Sequence, residues 1–140
     1  MSLYKTILVT LEGTATDQAI IEHVKLLAQA LKSRVVLLHV ASGVPAKYHR
    51  TDAAGKEVEE SQANLERVHA EFSGAGIPTE SELAYGEPAK EIIKWVEQKG
   101  CDLVAMSTHG HKFVADLVLG TTAFEVQHSL RVPVLLLRAK

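Results

Sequence analysis

The sequence is poor in the residues on which several classes of protein depend. It has one cysteine, Cys101, which excludes an intramolecular disulfide and a multi-cysteine zinc site and favours a reducing compartment. Aromatic residues make up only 5% of the chain, which argues against a platform that stacks nucleobases. The formal charge of -2 provides no basic excess to hold a nucleic-acid backbone. We therefore expect no nucleic-acid partner.

Long apolar runs are also missing. The longest, such as 132–137, are far shorter than the ~20 residues that a membrane-spanning helix needs. The first residues lack the charged leader and apolar stretch of a secretory signal. We expect a cytoplasmic protein with no membrane anchor. What is present, 46% hydrophobic and 23% charged residues, is ordinary for one folded domain covering residues 1–140.

Short apolar runs alternate with segments of helical periodicity. The runs predict buried strands at 4–11, 35–40, 102–106 and 132–137, and the polar–apolar alternation of 77–85 predicts an edge strand. The helical stripes predict a first helix capped by Thr16 or Asp17, a second at 56–72, a third opened by Pro88 and closed by Gly100, and a fourth at 116–130. Residues 41–55 have no clear period and predict a loop or a helix entry.

This order of elements predicts an α/β fold. Buried strands that alternate with helices form a parallel sheet with helices on both faces, and right-handed crossovers make it a doubly wound five-stranded sheet of order 3-2-1-4-5. Such sheets bind ligands beyond the C-terminal ends of the strands, where the winding direction reverses. Here that point lies between strands one and four, so residues 10–13 should face residues 107–110.

Residues 107–122, STHGHKFVADLVLGTT, contain the glycines and hydroxyl side chains most typical of a ligand-binding site. Glycines at 110 and 120 let backbone N–H groups approach an anion, and the hydroxyls of Thr121 and Thr122 can donate hydrogen bonds to phosphate oxygens. The Walker A pattern GxxxxGK[ST] and the dinucleotide pattern GxGxxG are both absent. The segment predicts a phosphate cradle of another kind. The alternative is that these glycines only permit turns.

The same segment resembles the universal stress proteins, which carry G-x2-G-x9-G-(S/T) after their fourth strand. Gly110 matches the second glycine, nine residues intervene, and Gly120-Thr121 matches the final pair, while Ser107 takes the place of the first glycine. The resemblance extends to ILVTLEGT in the first strand, LLHV in the second, GEPA at 86–89 and VPVLLLR near the end. It covers most of the chain in the correct order.

The resemblance implies an ATP or AMP site, with a divalent cation such as Mg²⁺ accompanying a triphosphate. His111 and Lys112 would add positive charge to this site. No clear catalytic base lies beside the cradle in the sequence, so we expect no catalytic residue and at most weak ATPase activity in a stress-response or signalling module. The phosphates would be held by Gly110, Gly120, Thr121 and Thr122.

The remaining implied contacts lie beside the sugar and the base. Ser107 and His109 would flank the ribose and phosphates, and Thr10, Glu12 and the backbone of Val40 would border adenine. Two of these positions depart from the family: Glu12 replaces an aspartate and Ser107 replaces a glycine. If φ at Ser107 were positive, its side chain would be strained by ~1–2 kcal/mol.

These departures favour an alternative, a nucleotide-free dimeric interaction protein of the same fold. A third possibility is an ATPase or kinase-like enzyme, for which no partner that positions an attacking group is evident. Whether or not the chain binds nucleotide, we expect a homodimer through the C-terminal strand, because the apolar residues of this strand should lie at a sheet edge.

Other polar side chains are weaker candidates. His109-Gly-His111 provides at most half of a metal site, without evident further ligands, so we expect no resident metal. His39, within an apolar strand, is typical of a hydrogen-bonded core histidine. Cys101 is expected to be a small buried residue.

Overall fold

The computed structural model describes residues 3–41, 52–109, 122 and 124–139, and only the backbone of residues 52–57 and 109. In this part of the chain, five parallel strands form one sheet in the order β3-β2-β1-β4-β5. The predicted fold class and strand order are confirmed. The strands are β1 (Thr6–Leu11), β2 (Arg34–Ala41), β3 (Thr79–Tyr85), β4 (Leu103–His109) and β5 (Val134–Ala139).

Helices cover both faces of the sheet, and successive strand residues point to opposite faces. Ile7 and Val9 of β1 face the helices α1 (Gln18–Leu31) and α2 (Asp52–Gly74). Leu8, between them, faces α3 (Pro88–Lys99) and the short helix α4 at residues 124–129. Each face therefore has its own buried cluster, and the sheet separates the two.

Two element boundaries differ from the prediction. The second helix begins at Asp52, inside the segment 41–55 that was predicted as a loop or helix entry, while residues 42–51 lie outside the described chain. The fourth strand continues past residue 106 to His109, because its last residues pair with the end of β5. The prediction stopped the strand where polar side chains begin, but backbone pairing in a parallel ladder does not require apolar side chains.

The ends of α3 agree with the sequence prediction. Pro88 occupies the first turn, where its missing N–H has no partner to lose, and Gly100 ends the helix with φ of 66°. None of the described helices is long and apolar enough to cross a membrane.

Asp102 joins the beginning of β1 to the beginning of β4. Its carboxylate accepts the backbone N–H of Lys5 at 2.9 Å and that of Thr6 at 3.0 Å. Both strands are thereby fixed at the end of the sheet opposite to the predicted ligand site.

Candidate functional site

The ladder between β1 and β4 ends before either strand does, and the space between their C-terminal ends is called the crevice below. Their ladder runs from Ile7 beside Leu103 to Val9 beside Ala105. Beyond that pair, β1 continues to Leu11 alongside β2, and β4 continues to His109 alongside β5. The two strands therefore diverge at their C-terminal ends, at the position where a doubly wound sheet binds its ligands.

The chain leaving β1 is held by the carboxylate of Asp17. The backbone N–H of Glu12 donates to Oδ1 at 2.9 Å and to Oδ2 at 3.0 Å, and that of Gly13 donates to Oδ2 at 2.8 Å. Asp17 directly precedes α1, but its side chain makes no capping bond to that helix. Asp17 is thus the N-cap residue of α1, one of the two positions that the sequence predicted, but its carboxylate bonds to the preceding turn and not to the helix. Thr14 provides the cap of the short 3-10 turn at 15–17 instead, by accepting the N–H of Thr16.

His39 holds the residue just before this turn. A carbonyl oxygen can only accept, so Nδ1–H of His39 donates to the carbonyl of Leu11, at 2.8 Å. The predicted core histidine is thus hydrogen-bonded, as expected. Gly13 follows with φ of 84°, and a Cβ there would lie 3.5 Å from Cε1 of His39. Glycine suits this position because it readily adopts positive φ.

The acid that organises this turn is almost completely buried, with Asp17 only 2% exposed. Burial raises the pKa of Asp17 above its usual value. Hydrogen bonds from backbone N–H groups at residues 12–14 and the nearby His39 ring act in the opposite direction. Loss of hydration disfavours the charged form of Asp17, and the hydrogen bonds from these donors partly offset that effect.

These contacts limit which backbone groups of the crevice can receive an anion. Each backbone amide has one hydrogen, and the amide hydrogens of Glu12 and Gly13 already point at the carboxylate of Asp17. Glu12 itself is an exposed acidic residue. The amides at the exit of β1 are therefore not available to bind phosphate.

Ser107 lies on the β4 side, two residues beyond the last pair with β1. It is 3% exposed, and its Oγ has no hydrogen-bond partner among the residues that the structure describes. Lys32 is the only non-glycine residue of the described chain with positive φ, so the strain considered for Ser107 does not arise. The backbone here is an ordinary strand, paired with Leu137.

The other predicted residues fall at the ends of strands or outside the described chain. Thr10 and Val40 are half-buried on the face covered by α3 and α4, whereas Ser107 shares the opposite face with Ala105. Thr122 is helical and half-buried, and His109 is the last residue of β4. The predictions that lie outside the described residues concern Gly110, His111, Lys112, Gly120 and Thr121.

Two further side chains are explained by packing. Burial raises the pKa of the Cys101 thiol to about 11, which keeps it protonated and unreactive near neutral pH. Within the described ranges, no cluster of three His, Cys, Asp or Glu side chains is arranged to bind a metal ion.

Sequence reasoning missed the role of Asp17. An acidic residue before a helix is typical of a cap, and nothing local distinguishes it from one that folds back on the preceding turn. The signal that was available is the adjacent Glu12-Gly13 pair at a strand exit, where backbone N–H groups need an acceptor.

A model of the universal stress protein family matches residues 3–138. Universal stress protein MJ0577 of Methanocaldococcus jannaschii is 24% identical over 157 aligned positions, spanning 99% of this chain and 97% of that protein. Its solved structure superposes with a TM-score of 0.82 at 26% identity, covering 99% of this chain and 98% of the other.

Two other solved structures share the fold at lower identity. One is a universal stress protein in complex with cAMP, with a TM-score of 0.71, 17% identity and 98% of each chain covered. The other is the universal stress protein of Archaeoglobus fulgidus in complex with dAMP, with a TM-score of 0.70 and 15% identity, covering 96% of this chain and 98% of that one. At these identities the likeness concerns the fold.

Proposed function

We propose that this chain, which belongs to the universal stress protein family, binds an adenine nucleotide between β1 and β4 as a stress-response or signalling module. The observation that carries the proposal is the divergence of these two strands at the switch point of the sheet. Complexes of other universal stress proteins with cAMP and dAMP support an adenine nucleotide as the ligand.

The proposed orientation follows from the charges at the two strand ends. The β1 exit presents the acidic Glu12 and amides already bonded to Asp17, so the base and not the phosphate group belongs there. Thr10 and Val40 would border that base. The phosphates would lie towards Ser107 and His109, whose chain continues into the glycine-containing segment with its His111 and Lys112.

We assign the phosphates to the backbone and hydroxyls of Gly110, Gly120, Thr121 and Thr122. Glycine permits close approach of the main chain to an anion, and hydroxyls donate to its oxygens. ATP and AMP both satisfy this chemistry, and Mg²⁺ would accompany the triphosphate.

Binding with slow or no hydrolysis is the proposed activity. Among the described residues near the crevice, the carboxylate of Asp17 is occupied by backbone N–H groups and is not placed to activate a water molecule. Phosphoryl transfer needs groups that position a nucleophile and neutralise developing charge. We propose no catalytic residue.

Isothermal titration calorimetry with ATP and with AMP, in the presence of Mg²⁺, tests the proposal. We expect saturable binding with a stoichiometry of one nucleotide per chain for at least one of them. If no heat is released at high micromolar nucleotide, with protein whose circular dichroism is that of a folded α/β domain, nucleotide binding is wrong.

The second candidate is a nucleotide-free dimeric interaction protein. It is favoured by Ser107, whose side chain occupies buried space where the family motif has glycine. Under this alternative the native chain does not bind ATP, and the double variant Ser107→Gly, Glu12→Asp gains binding. Stoichiometric binding by the native chain excludes it.

We also propose a homodimer formed through β5 in a cytoplasmic setting. On β5 the large apolar Leu136 is 41% exposed at the sheet edge. The opposite edge strand, β3, instead carries Glu80 and Glu82, both of which are paired with Lys99. Charged residues discourage edge-to-edge pairing. β5 carries one, Arg138, whereas β3 carries two glutamates beside its own exposed Tyr85, so β5 is the proposed interface. The buried free thiol of Cys101 agrees with a reducing compartment.

A further inference from the structure

The turn after β1 is fixed by two side chains from different elements. Three consecutive residues each have a backbone polar group bonded to one of them: the carbonyl of Leu11 to His39, and the amides of Glu12 and Gly13 to Asp17. The lengths are 2.8, 2.9 and 2.8 Å, all well within normal hydrogen-bond range. A turn held at each successive residue has little freedom to move.

We propose that Asp17 is a positioning residue for nucleotide binding, because its buried carboxylate fixes the backbone from which Glu12 extends at the β1 side of the crevice. This inference rests on the proposed function. Asp17 does not itself touch the ligand, since both of its oxygens accept from the chain. Its effect on the ligand passes through the position of Glu12.

Burial makes this arrangement specific for a carboxylate. Asp17 is 2% exposed, so water cannot replace a lost acceptor without rearrangement. Asparagine has the same shape but only one accepting oxygen, and its NH₂ group would face an amide donor. Alanine has no acceptor. The backbone at Glu12 and Gly13 should therefore loosen in the order Asp, Asn, Ala.

The chain contains a matched control at the other end of the same strand. Asp102 also accepts two consecutive backbone N–H groups, from Lys5 at 2.9 Å and Thr6 at 3.0 Å, and thereby ties β1 to β4. It lies far from the C-terminal ends of the strands. Replacing Asp102 removes the same kind of hydrogen bond. The Asp102 variants therefore show how much a general loss of stability, by itself, changes nucleotide affinity.

The test measures nucleotide affinity by calorimetry for the wild-type chain and for Asp17→Asn, Asp17→Ala, Asp102→Asn and Asp102→Ala. We expect the dissociation constant to rise about tenfold in Asp17→Asn and further in Asp17→Ala, because each substitution removes hydrogen bonds to a charged group. The Asp102 variants should stay within about twofold of wild type when compared well below their melting temperatures.

A spectroscopic measurement shows whether the substitutions change the backbone of the β1 turn. In ¹H–¹⁵N spectra, the amide resonances of Glu12 and Gly13 should move in the Asp17 variants and remain in place in the Asp102 variants. If Asp17→Asn does not fold, Asp17→Ser takes its place in the series.

The outcomes distinguish this inference from the proposed function. If the wild-type chain does not bind nucleotide, the proposed function is wrong and Asp17 has no ligand to position. If the wild-type chain binds and the Asp17 variants bind as tightly as the Asp102 variants, the positioning role alone is overturned.

Discussion

At the scale of single residues, two buried serines provide a direct comparison. Ser33 is 1% exposed and its Oγ donates to the carbonyl of Tyr4 at 2.5 Å, whereas Ser107 is 3% exposed and its Oγ lacks a partner within the described structure. A buried hydroxyl without a partner costs stability, and one with a partner contributes it. The two residues should therefore respond in opposite ways to the same substitution.

We predict that Ser107→Ala raises the free energy of unfolding by about 1 kcal/mol and that Ser33→Ala lowers it by a similar amount. Urea denaturation without nucleotide measures both. If Ser107→Ala destabilises the protein as much as Ser33→Ala, the hydroxyl of Ser107 has a partner in the unliganded protein.

The buried carboxylate of Asp17 gives a second prediction at this scale. Its pKa is raised in the folded state, so the folded protein takes up the proton more readily than the unfolded chain does. The contribution of Asp17 to stability is therefore greatest below the usual value of 3.8 and is lost as pH rises through the folded-state pKa.

The measurement is the free energy of unfolding of the wild-type chain minus that of Asp17→Asn, followed from acidic to neutral pH. We expect this difference to fall as pH rises through that window. A difference that grows with pH would mean that the donors around Asp17 outweigh its burial.

At the scale of elements, the turn between β1 and α1 depends on a glycine. Gly13 has φ of 84°, and a Cβ added there would meet its nearest neighbour, Cε1 of His39, at an ordinary contact distance of 3.5 Å. The cost of a side chain at Gly13 therefore comes from the backbone conformation and not from a clash. Gly74, at the end of α2, has no neighbour within 4 Å of such a Cβ and provides the control.

We predict that Gly13→Ala lowers the free energy of unfolding by about 1–2 kcal/mol. Gly74→Ala should change it by less than about 1 kcal/mol, in the stabilising direction, because alanine favours helix and restricts the unfolded chain. Chemical denaturation of both variants is the measurement. Equal effects would exclude the backbone explanation.

The strands and helices were largely predictable because their periods of 2 and 3.6 residues are written directly in the sequence. The end of β4 was not, since the pairing of Thr108 with Arg138 depends on where β5 lies and not on local apolarity. The role of Asp17 was hidden for a related reason: its partners, Glu12 and Gly13, become neighbours only through the turn. The position of the proposed site was inferred from topology and stays a proposal, and its glycine-containing segment, 110–121, lies outside the described residues.

At the scale of the whole molecule, the two sheet edges differ in chemistry. On β3, Glu80 is paired with both Arg34 and Lys99, which joins this edge to β2 and α3 through charges. On β5, Leu136 is exposed. Tyr85 of β3 is equally exposed, but β3 carries two glutamates and β5 only Arg138, so we propose that self-association through the sheet uses β5.

We predict that the native chain elutes as a dimer of the 15.2 kDa chain in size-exclusion chromatography with light scattering. Leu136→Lys should convert it to a monomer by placing a charge in the interface. Leu26→Lys, at a residue of α1 that is 68% exposed, should leave the dimer intact. A native monomer, or a dimer that survives Leu136→Lys, contradicts an interface formed by this strand.

The central claim is that an adenine nucleotide lodges where β1 and β4 separate. A crystal structure determined from protein incubated with ATP and Mg²⁺ tests this most directly. We expect density for the base beside Thr10 and Val40 and for the phosphates beyond Ser107. Glu12 or Ser107 filling the crevice, with no nucleotide there at saturating concentration, would contradict it.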